Sequence, residues 1–176
     1  MQKLPRQKLP LGANNLLSVF EGIEGGFAIF TGIIVGLSFQ EISRELLLMT
    51  ALIGIIVNAF NSSAVRYSSE HYVDELDGRE KRRRFHFYFI PAFIEFLVYA
   101  AVSAIVIIPL LVIESLSLAI TLSVVLTLLV LFVAGVYRGY LMRTHRWRDG
   151  FELALLGALI VVIGGVSGWI LSHLVA

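Results

Sequence analysis

Three acidic residues lie inside long apolar stretches of this sequence. Glu21 and Glu24 are spaced i,i+3 in the first stretch, and Glu95 lies in the third. A charge inside an apolar segment that crosses a membrane is costly unless it is paired or has a function. Carboxylates combined with amide and hydroxyl oxygens suit hard or borderline divalent cations such as Mn²⁺, Fe²⁺, Ca²⁺ or Mg²⁺. A carboxylate withdrawn from water can also hold a proton, so the same groups could bind either a metal ion or protons.

The second apolar stretch carries polar residues with the spacing of one helix face. These residues follow i,i+3,i+4,i+8,i+11, and they are Asn58, Asn61, Ser62, Arg66 and Ser69. Because a helix rises about 1.5 Å per residue, Glu21, Glu24, Glu95, Asn61 and Ser62 should lie at about the same depth, with Asn58 slightly deeper. The pattern predicts one path for metal ions and protons made of Glu21, Glu24, Glu95, Asn58, Asn61 and Ser62, with Arg66 tuning the charge of the acids.

A structural role for the same residues is the alternative. Glu21 or Glu24 could pair with Arg66, and the Asn and Ser side chains could join helices by hydrogen bonds. Against this, three carboxylates face at most one cation, and apolar packing would stabilise the helices better than a surplus of buried acids. The surplus favours a site that attracts cations.

The elements that position these residues are predicted to be membrane helices. The chain has 176 residues, of which 57% are hydrophobic and 15% charged, and this apolar excess is typical of a protein that faces lipid. Five apolar segments are long enough to cross a bilayer: 15–39, 46–69, 87–113, 116–142 and 151–175. The sequence therefore predicts an all-α membrane protein, a single five-helix domain over 1–176.

Composition excludes several other functions. The chain has no cysteine, which excludes disulfides, Cys-ligated zinc, iron–sulfur clusters and thiol catalysis. Its formal net charge of +1 indicates no bulk attraction for nucleic acid. There is no phosphate-binding loop or nucleophile elbow, and Ser62 and Ser63 have no nearby base, so we expect no enzymatic activity.

Basic residues predict how the chain is oriented. With the N-terminus in the cytoplasm, Arg44 is the one Lys or Arg on the far side. The cytoplasmic regions would then be an N-terminal segment, 1–14, which we expect to be retained, and a short charged connection, 70–86. The C-terminus would lie on the opposite side. Lys and Arg on or near the cytoplasmic side are Lys3, Arg6, Lys8, Arg66, Arg79, Lys81, Arg82, Arg83, Arg84, Arg138, Arg143, Arg146 and Arg148.

Small residues and a second acidic group lead to two further predictions. Two GxxxG motifs in the first helix, Gly22 with Gly26 and Gly32 with Gly36, predict close helix packing, either within the chain or across a homodimer. In the connection after the second helix, acids at helical spacing could capture metal ions at the cytoplasmic side, or could simply form a solvated helix end before Gly78. The acids assigned to capture are Glu70, Asp74 and Glu75.

The chain resembles the vacuolar iron transporter family. Its first apolar segment, FEGIEGGFAIFTGIIVG, is similar to the D-G-x(4)-F-A-x(3)-G helix of that family, with Glu21 at the acidic position. The fourth and fifth segments are similar to its closing L-F-x-x-G and L-x-G-A-L…G helices. The resemblance implies five spans, a homodimer through the first helix, and an antiporter that exchanges Fe²⁺ (iron) or Mn²⁺ (manganese) for protons.

The departures from the family pattern concern the expected ligands. Glu21 replaces an Asp, and Asn58 stands near the place of the family's methionine, which would exchange a soft thioether for a hard amide oxygen. The family's Gly-Glu-Tyr is replaced by Asn61, Ser62 and Ser63. The glutamate-rich metal-binding domain that the plant proteins insert between spans two and three is absent from this sequence, where the connection is short.

These observations predict transport of a divalent metal ion, Fe²⁺ or Mn²⁺, out of the cytoplasm in exchange for protons, with Glu21 as the central ligand. The expected partners are membrane lipid, a second copy of the chain, metal ions and protons; no permanently bound cofactor and no nucleic acid are expected. We expect the protein in a membrane, with a prokaryotic plasma membrane as the location. The alternative is a membrane scaffold that does not transport and whose buried acids are structural.

Overall fold

A computed structural model describes residues 12–40, 42–79 and 84–175. The described part folds into five long helices, each long and apolar enough to cross a membrane, which confirms the all-α prediction. A π-helical turn, Phe85–Phe89, leads into the third helix. The helices are α1 (Ala13–Leu37), α2 (Arg44–Leu76), α3 (Ile90–Val112), α4 (Leu116–Met142) and α5 (Arg146–Val175). The predicted basic residues Lys3, Arg6, Lys8, Lys81, Arg82 and Arg83 lie outside the described residues.

α1 is the central helix of the bundle. It contacts each of the other four helices. Half of the residues in its most apolar stretch are buried, compared with 22% in the corresponding stretches of α4 and α5. Phe27, Phe30 and Ile34 of α1 are almost completely buried in the core. The other helices therefore present most of their apolar surface outward, as lipid-facing helices do.

The glycines of α1 pack it against two neighbours within the chain. A Cβ at Gly22 would lie 2.9 Å from Val98 Cβ of α3, and one at Gly36 would lie 2.8 Å from the Gly164 carbonyl oxygen of α5. Gly26 similarly meets α3, and Gly32 meets α5. All four predicted packing glycines thus allow close contacts inside the chain, where no side chain would fit. These four glycines are therefore occupied by contacts within the chain and not by a homodimer contact.

Buried hydroxyl groups join the helices further. Thr31 of α1 and Thr127 of α4 share a hydrogen bond of 2.6 Å. Ser103 donates to the Gly26 carbonyl oxygen at 3.0 Å, and Ser123 donates to that of Val106 at 2.9 Å. Each bond satisfies a polar group that has no water available in the apolar interior.

Arg44 and two prolines lie at the ends of α3. Arg44, the one basic residue predicted for the far side, donates to the carbonyl oxygen of Leu110 at 2.9 Å and also to that of Ile113. It thereby satisfies carbonyls that the C-terminal end of α3 leaves free. Pro91 follows the π-helical turn and opens α3, and Pro109 lies in the last turn of α3. Neither proline interrupts the middle of the span.

α2 extends well beyond the predicted span, to Leu76 instead of 69. Its 33 residues correspond to about 50 Å, which is longer than the roughly 30 Å hydrocarbon core of a bilayer. It ends where Gly78 adopts a positive φ of 63° and Arg79 N donates to the Asp74 carbonyl oxygen at 2.8 Å. A glycine is favoured there because the left-handed conformation strains other residues.

Candidate functional site

Four charged side chains from three helices meet around Arg66; we call Glu21, Arg66, Glu70 and Glu95 the Arg66 cluster. Arg66 Nη1 contacts Glu21 of α1. Its Nη2 lies 2.6 Å from Glu70 Oε1, one turn further along α2, and its Nε lies 3.8 Å from Glu95 Oε2 of α3. Three carboxylates surround one guanidinium, so the cluster carries more negative than positive formal charge.

Close packing of α1 on α3 brings Glu95 beside Glu21. A Cβ at Gly22, the neighbour of Glu21, would lie 2.9 Å from the backbone oxygen of Glu95. Glycine at this position lets the two backbones approach, and the two carboxylates then lie at the same level. Of the residues predicted at about one depth, the structure brings Glu21 and Glu95 together at Arg66, and Ser62 forms a hydrogen bond with Glu95.

Glu95 is the most deeply buried acid of the cluster. It is 2% exposed, and Arg66 is 7% exposed. Ser62 of α2 donates its hydroxyl hydrogen to Glu95 Oε1. Among the residues that the structure describes, Glu95 Oε2 and Arg66 Nε find no hydrogen-bond partner. A buried polar atom without a partner is costly, and it marks a place where the arrangement is not optimised for stability.

Glu70 belongs to the Arg66 cluster, whereas the sequence placed it with Asp74 and Glu75 in a cytoplasmic group. Those two acids behave differently: Asp74 accepts a hydrogen bond of 2.9 Å from the Tyr88 hydroxyl, and Glu75 is exposed. The i,i+4 spacing of Arg66 and Glu70 was the signal that could have identified the pair. α2 remains helical past 69, so the two side chains share one face.

Glu24 lies apart from the Arg66 cluster, which corrects its predicted place beside Glu21. Arg138 Nη1 of α4 lies 3.0 Å from Glu24 Oε1. The reason is geometric, because an i,i+3 step turns the side chain about 60° around α1, toward α4 instead of α2. The membrane domain therefore holds a second charge pair, for which the sequence had named no basic partner.

The two asparagines of α2 also lie outside the Arg66 cluster. The Asn58 side chain donates to the Gly54 carbonyl oxygen of its own helix at 2.9 Å, and Asn61 is exposed. The buried face of α2 instead runs through Ala51, Ile55, Ala59 and Ser63 to Arg66. The buried residues are spaced by four, whereas the predicted set began at Asn58 and Asn61 and so lies on a neighbouring face of the helix.

A cavity reaches the cluster from the end of the bundle where α1 begins and α2 ends. Its volume is about 440 Å³. Asn14 and Glu70 stand in its wall, and the Asn14 side chain donates to Glu70 Oε2 at 3.3 Å. Glu70 thus connects the cavity to Arg66. The residues lining the cavity are Asn14, Ser69, Glu70, Val73, Asp74, Phe87 and Tyr88.

The three carboxylates of the Arg66 cluster converge on the guanidinium of Arg66. Across 12–40, 42–79 and 84–175, no three Asp, Glu or His side chains are grouped so that they could hold a metal ion together. Glu21 and Glu95 both face the guanidinium of Arg66, and Ser62 donates to Glu95. The cation within this surplus of negative formal charge is the Arg66 side chain.

Five membrane-crossing helices around buried charges define a polytopic α-helical membrane protein with an internal ionic site. The model of the VIT family, the vacuolar iron transporters, matches residues 70–169, more than half of the chain. The chain belongs to this family. The family consists of membrane transporters of metal ions and not of enzymes, so the protein is a metal-ion transporter of the membrane. The match includes Glu70 and Glu95 but not α1 or Arg66. No curated protein matches the chain.

Proposed function

We propose that the protein moves a divalent metal ion, Fe²⁺ or Mn²⁺, out of the cytoplasm in exchange for protons. The observation that carries the proposal is the surplus of carboxylate in the Arg66 cluster, where Glu21, Glu70 and Glu95 face one guanidinium. A divalent cation would balance this charge, and so would protons, which makes exchange of one for the other chemically reasonable.

The proposed path enters at the cavity beside Glu70 and continues to Glu21 and Glu95. Glu70 lies in the cavity wall and also contacts Arg66. Ser62, which donates to Glu95, supplies a neutral oxygen at the inner end. In this proposal Asp74 and Glu75 help collect cations near the cavity. Glu24 is a secondary acid held by Arg138. Asn58 and Asn61 lie outside the cluster and are not ligands at its centre.

Transport in proteoliposomes tests this function. With an imposed pH gradient, wild-type protein should take up Mn²⁺ and Fe²⁺ more readily than Ca²⁺, and Glu21→Gln should reduce that uptake at least about tenfold, because the central ligand loses its charge. Glu45→Gln is the matched control: Glu45 is an exposed acid at the opposite end of α2. Full metal uptake by the Glu21→Gln protein would contradict the assigned role of Glu21.

We also propose that the transporter is a homodimer with α1 near the dimer axis. Support comes from Glu21, whose side chain is 42% exposed although it lies some 12 Å along a membrane-spanning helix. A carboxylate facing lipid at this depth is unfavourable, and a second copy covering a polar space would avoid it. Other residues than Gly22, Gly26, Gly32 and Gly36 would make this contact. A one-chain molar mass by light scattering in mild detergent would contradict the dimer.

The second candidate function is a membrane scaffold without transport, and a specific observation favours it. Glu21, Glu24, Glu70 and Glu95 each have a basic side chain nearby, Arg66 or Arg138. In a scaffold these pairs would hold helices together, so Glu21→Gln would change the melting temperature while no metal ion would. Stabilisation of the wild-type protein by Mn²⁺ or Fe²⁺, lost in Glu21→Gln, would exclude this reading.

The prokaryotic plasma membrane is the location that we propose. The positive-inside distribution of Lys and Arg supports an orientation that carries metal ions from the cytoplasm outward.

A further inference from the structure

Arg66 occupies the position in the cluster that a bound cation would need. Its three guanidinium nitrogens face three carboxylates: Nη1 faces Glu21, Nη2 faces Glu70, and Nε faces Glu95. These acids come from three different helices, so the guanidinium lies where their charges converge. A cation that binds to the same carboxylates must share this space with Arg66 or displace it.

The contact of Arg66 with Glu95 is the weakest of the three. Nε and Oε2 are 3.8 Å apart, and although both atoms are buried, neither has a hydrogen-bond partner within 12–40, 42–79 and 84–175. Movement of the guanidinium away from Glu95 would break no hydrogen bond between these atoms. It would leave Glu95 Oε2 free, next to the Ser62 hydroxyl and to Glu21, as a ligand oxygen for a hard or borderline cation.

Arg66 also has partners on the side toward the cavity. Nη2 contacts Glu70, and it donates to the backbone carbonyl oxygen of Asn14 at 3.3 Å. Asn14 and Glu70 both line the cavity of about 440 Å³. A guanidinium that shifts in this direction keeps two of its acceptors, while Glu21 and Glu95 become available to a second cation.

We propose that Arg66 is a tethered cation that competes with the transported divalent ion for Glu21 and Glu95 and thereby sets the affinity of the site. This inference rests on the proposed function of the Arg66 cluster. In the arrangement described here the tethered cation is bound. Metal binding moves it toward Glu70 and Asn14, and metal release allows it to return, so that the buried acids always have a positive partner.

Mn²⁺ binding to the purified full-length chain in detergent tests the proposal, with free Mn²⁺ measured by electron paramagnetic resonance. Arg66→Gln removes the competing charge and should lower the Kd at least about tenfold, because a unit charge some 4 Å from a divalent ion opposes its binding. Arg66→Lys keeps the charge and should remain within about threefold of the wild type. Arg148→Gln, which removes an exposed cation of α5 outside the Arg66 cluster, is the control and should leave the Kd unchanged.

A second pair of variants keeps the test valid if Arg66→Gln does not fold. Glu95→Gln and the double variant Arg66→Gln/Glu95→Gln differ at Arg66 alone. The double variant buries one unbalanced carboxylate fewer than Arg66→Gln does. The double variant should bind Mn²⁺ more tightly than Glu95→Gln. Equal or weaker binding without Arg66, in whichever pair folds, overturns the proposal, as does the absence of Mn²⁺ binding by every variant.

The binding result and the transport result can be separated. Wild-type Mn²⁺ flux with a Kd that does not respond to Arg66→Gln would overturn the tethered cation and leave the proposed transport intact. Tighter binding by Arg66→Gln, in a wild-type protein that moves no metal across liposomes, would support the tethered cation and overturn the proposed transport.

Discussion

At the scale of single residues, two arginines in the membrane domain have different surroundings. Arg66 is 7% exposed and contacts three acids, whereas Arg138 is partly exposed and contacts Glu24. Replacing one partner of a buried ionic group leaves the remaining charge without compensation. The surplus acids around Arg66 make that position the more sensitive one, while a one-to-one pair can rearrange or become neutral at lower cost.

Arg66→Gln is therefore expected to destabilise the protein more than Arg138→Gln. We expect a loss of about 3–5 kcal/mol at Arg66, since three acids lose their cation, and on the order of 1 kcal/mol at Arg138. The melting temperature in detergent, followed by intrinsic fluorescence of the tryptophans, gives the comparison. Adding Glu95→Gln to Arg66→Gln should recover part of the loss. Equal shifts for the two single variants would show that the charge surplus has no energetic consequence.

At the scale of the helices, α1 owes its central place to glycines on two of its faces. Gly22 and Gly26 admit α3, and Gly32 and Gly36 admit α5. The first contact positions Glu95 next to Glu21, so packing of α1 on α3 is part of the site. The second contact is farther along α1, where the two backbones touch at Gly36 and Gly164. A side chain at either place would separate helices that the bundle needs together.

Gly36→Ala tests the second of these contacts. The new Cβ would lie 2.8 Å from the Gly164 backbone oxygen, and overpacking of this kind costs about 1–3 kcal/mol. Gly54→Ala in α2 is the matched control, because its nearest neighbour is the Ile33 Cδ1 atom at 3.8 Å. Both changes raise helix propensity by up to about 1 kcal/mol, so the difference in melting temperature reports packing. Two variants that melt together would refute the close approach of α1 and α5.

At the scale of the whole molecule, the two ends of the bundle carry different charges. Of the arginines in the described ranges, Arg44 alone lies at the end where α1 and α3 terminate, and it is used to cap α3. The others lie inside or at the opposite end, where the cavity and Glu70 are also found. The positive-inside rule predicts that the cavity opens to the cytoplasm.

Labelling of introduced cysteines measures that orientation directly, because the natural chain contains none. Asp77→Cys lies after α2 and Glu114→Cys lies between α3 and α4; both positions are exposed. A membrane-impermeant maleimide added to intact cells should label the Glu114→Cys protein and reach Asp77→Cys only after permeabilisation. The reverse pattern would place the cavity outside the cytoplasm and invert the proposed direction of transport.

The number of spans and their approximate limits followed from the sequence alone. A segment of about 20 apolar residues must form a helix in lipid, because its backbone polar groups have no other partners there. Depth along a helix is equally predictable from residue counts, and so the sequence predicted Glu21, Ser62 and Glu95 at about one level. The family resemblance rested on local patterns of the same kind.

Direction around each helix axis was decided by tertiary packing. The glycine contacts of α1 turn Glu24 toward Arg138. In α2, the face that packs inside the bundle excludes Asn61, and the extension of the helix brings Glu70 to Arg66. A membrane helix that is apolar on all sides has little periodic signal to mark its inner face, because lipid and protein neighbours select similar residues. Which charges become partners therefore depends on which helices touch, and that is a property of the assembled bundle.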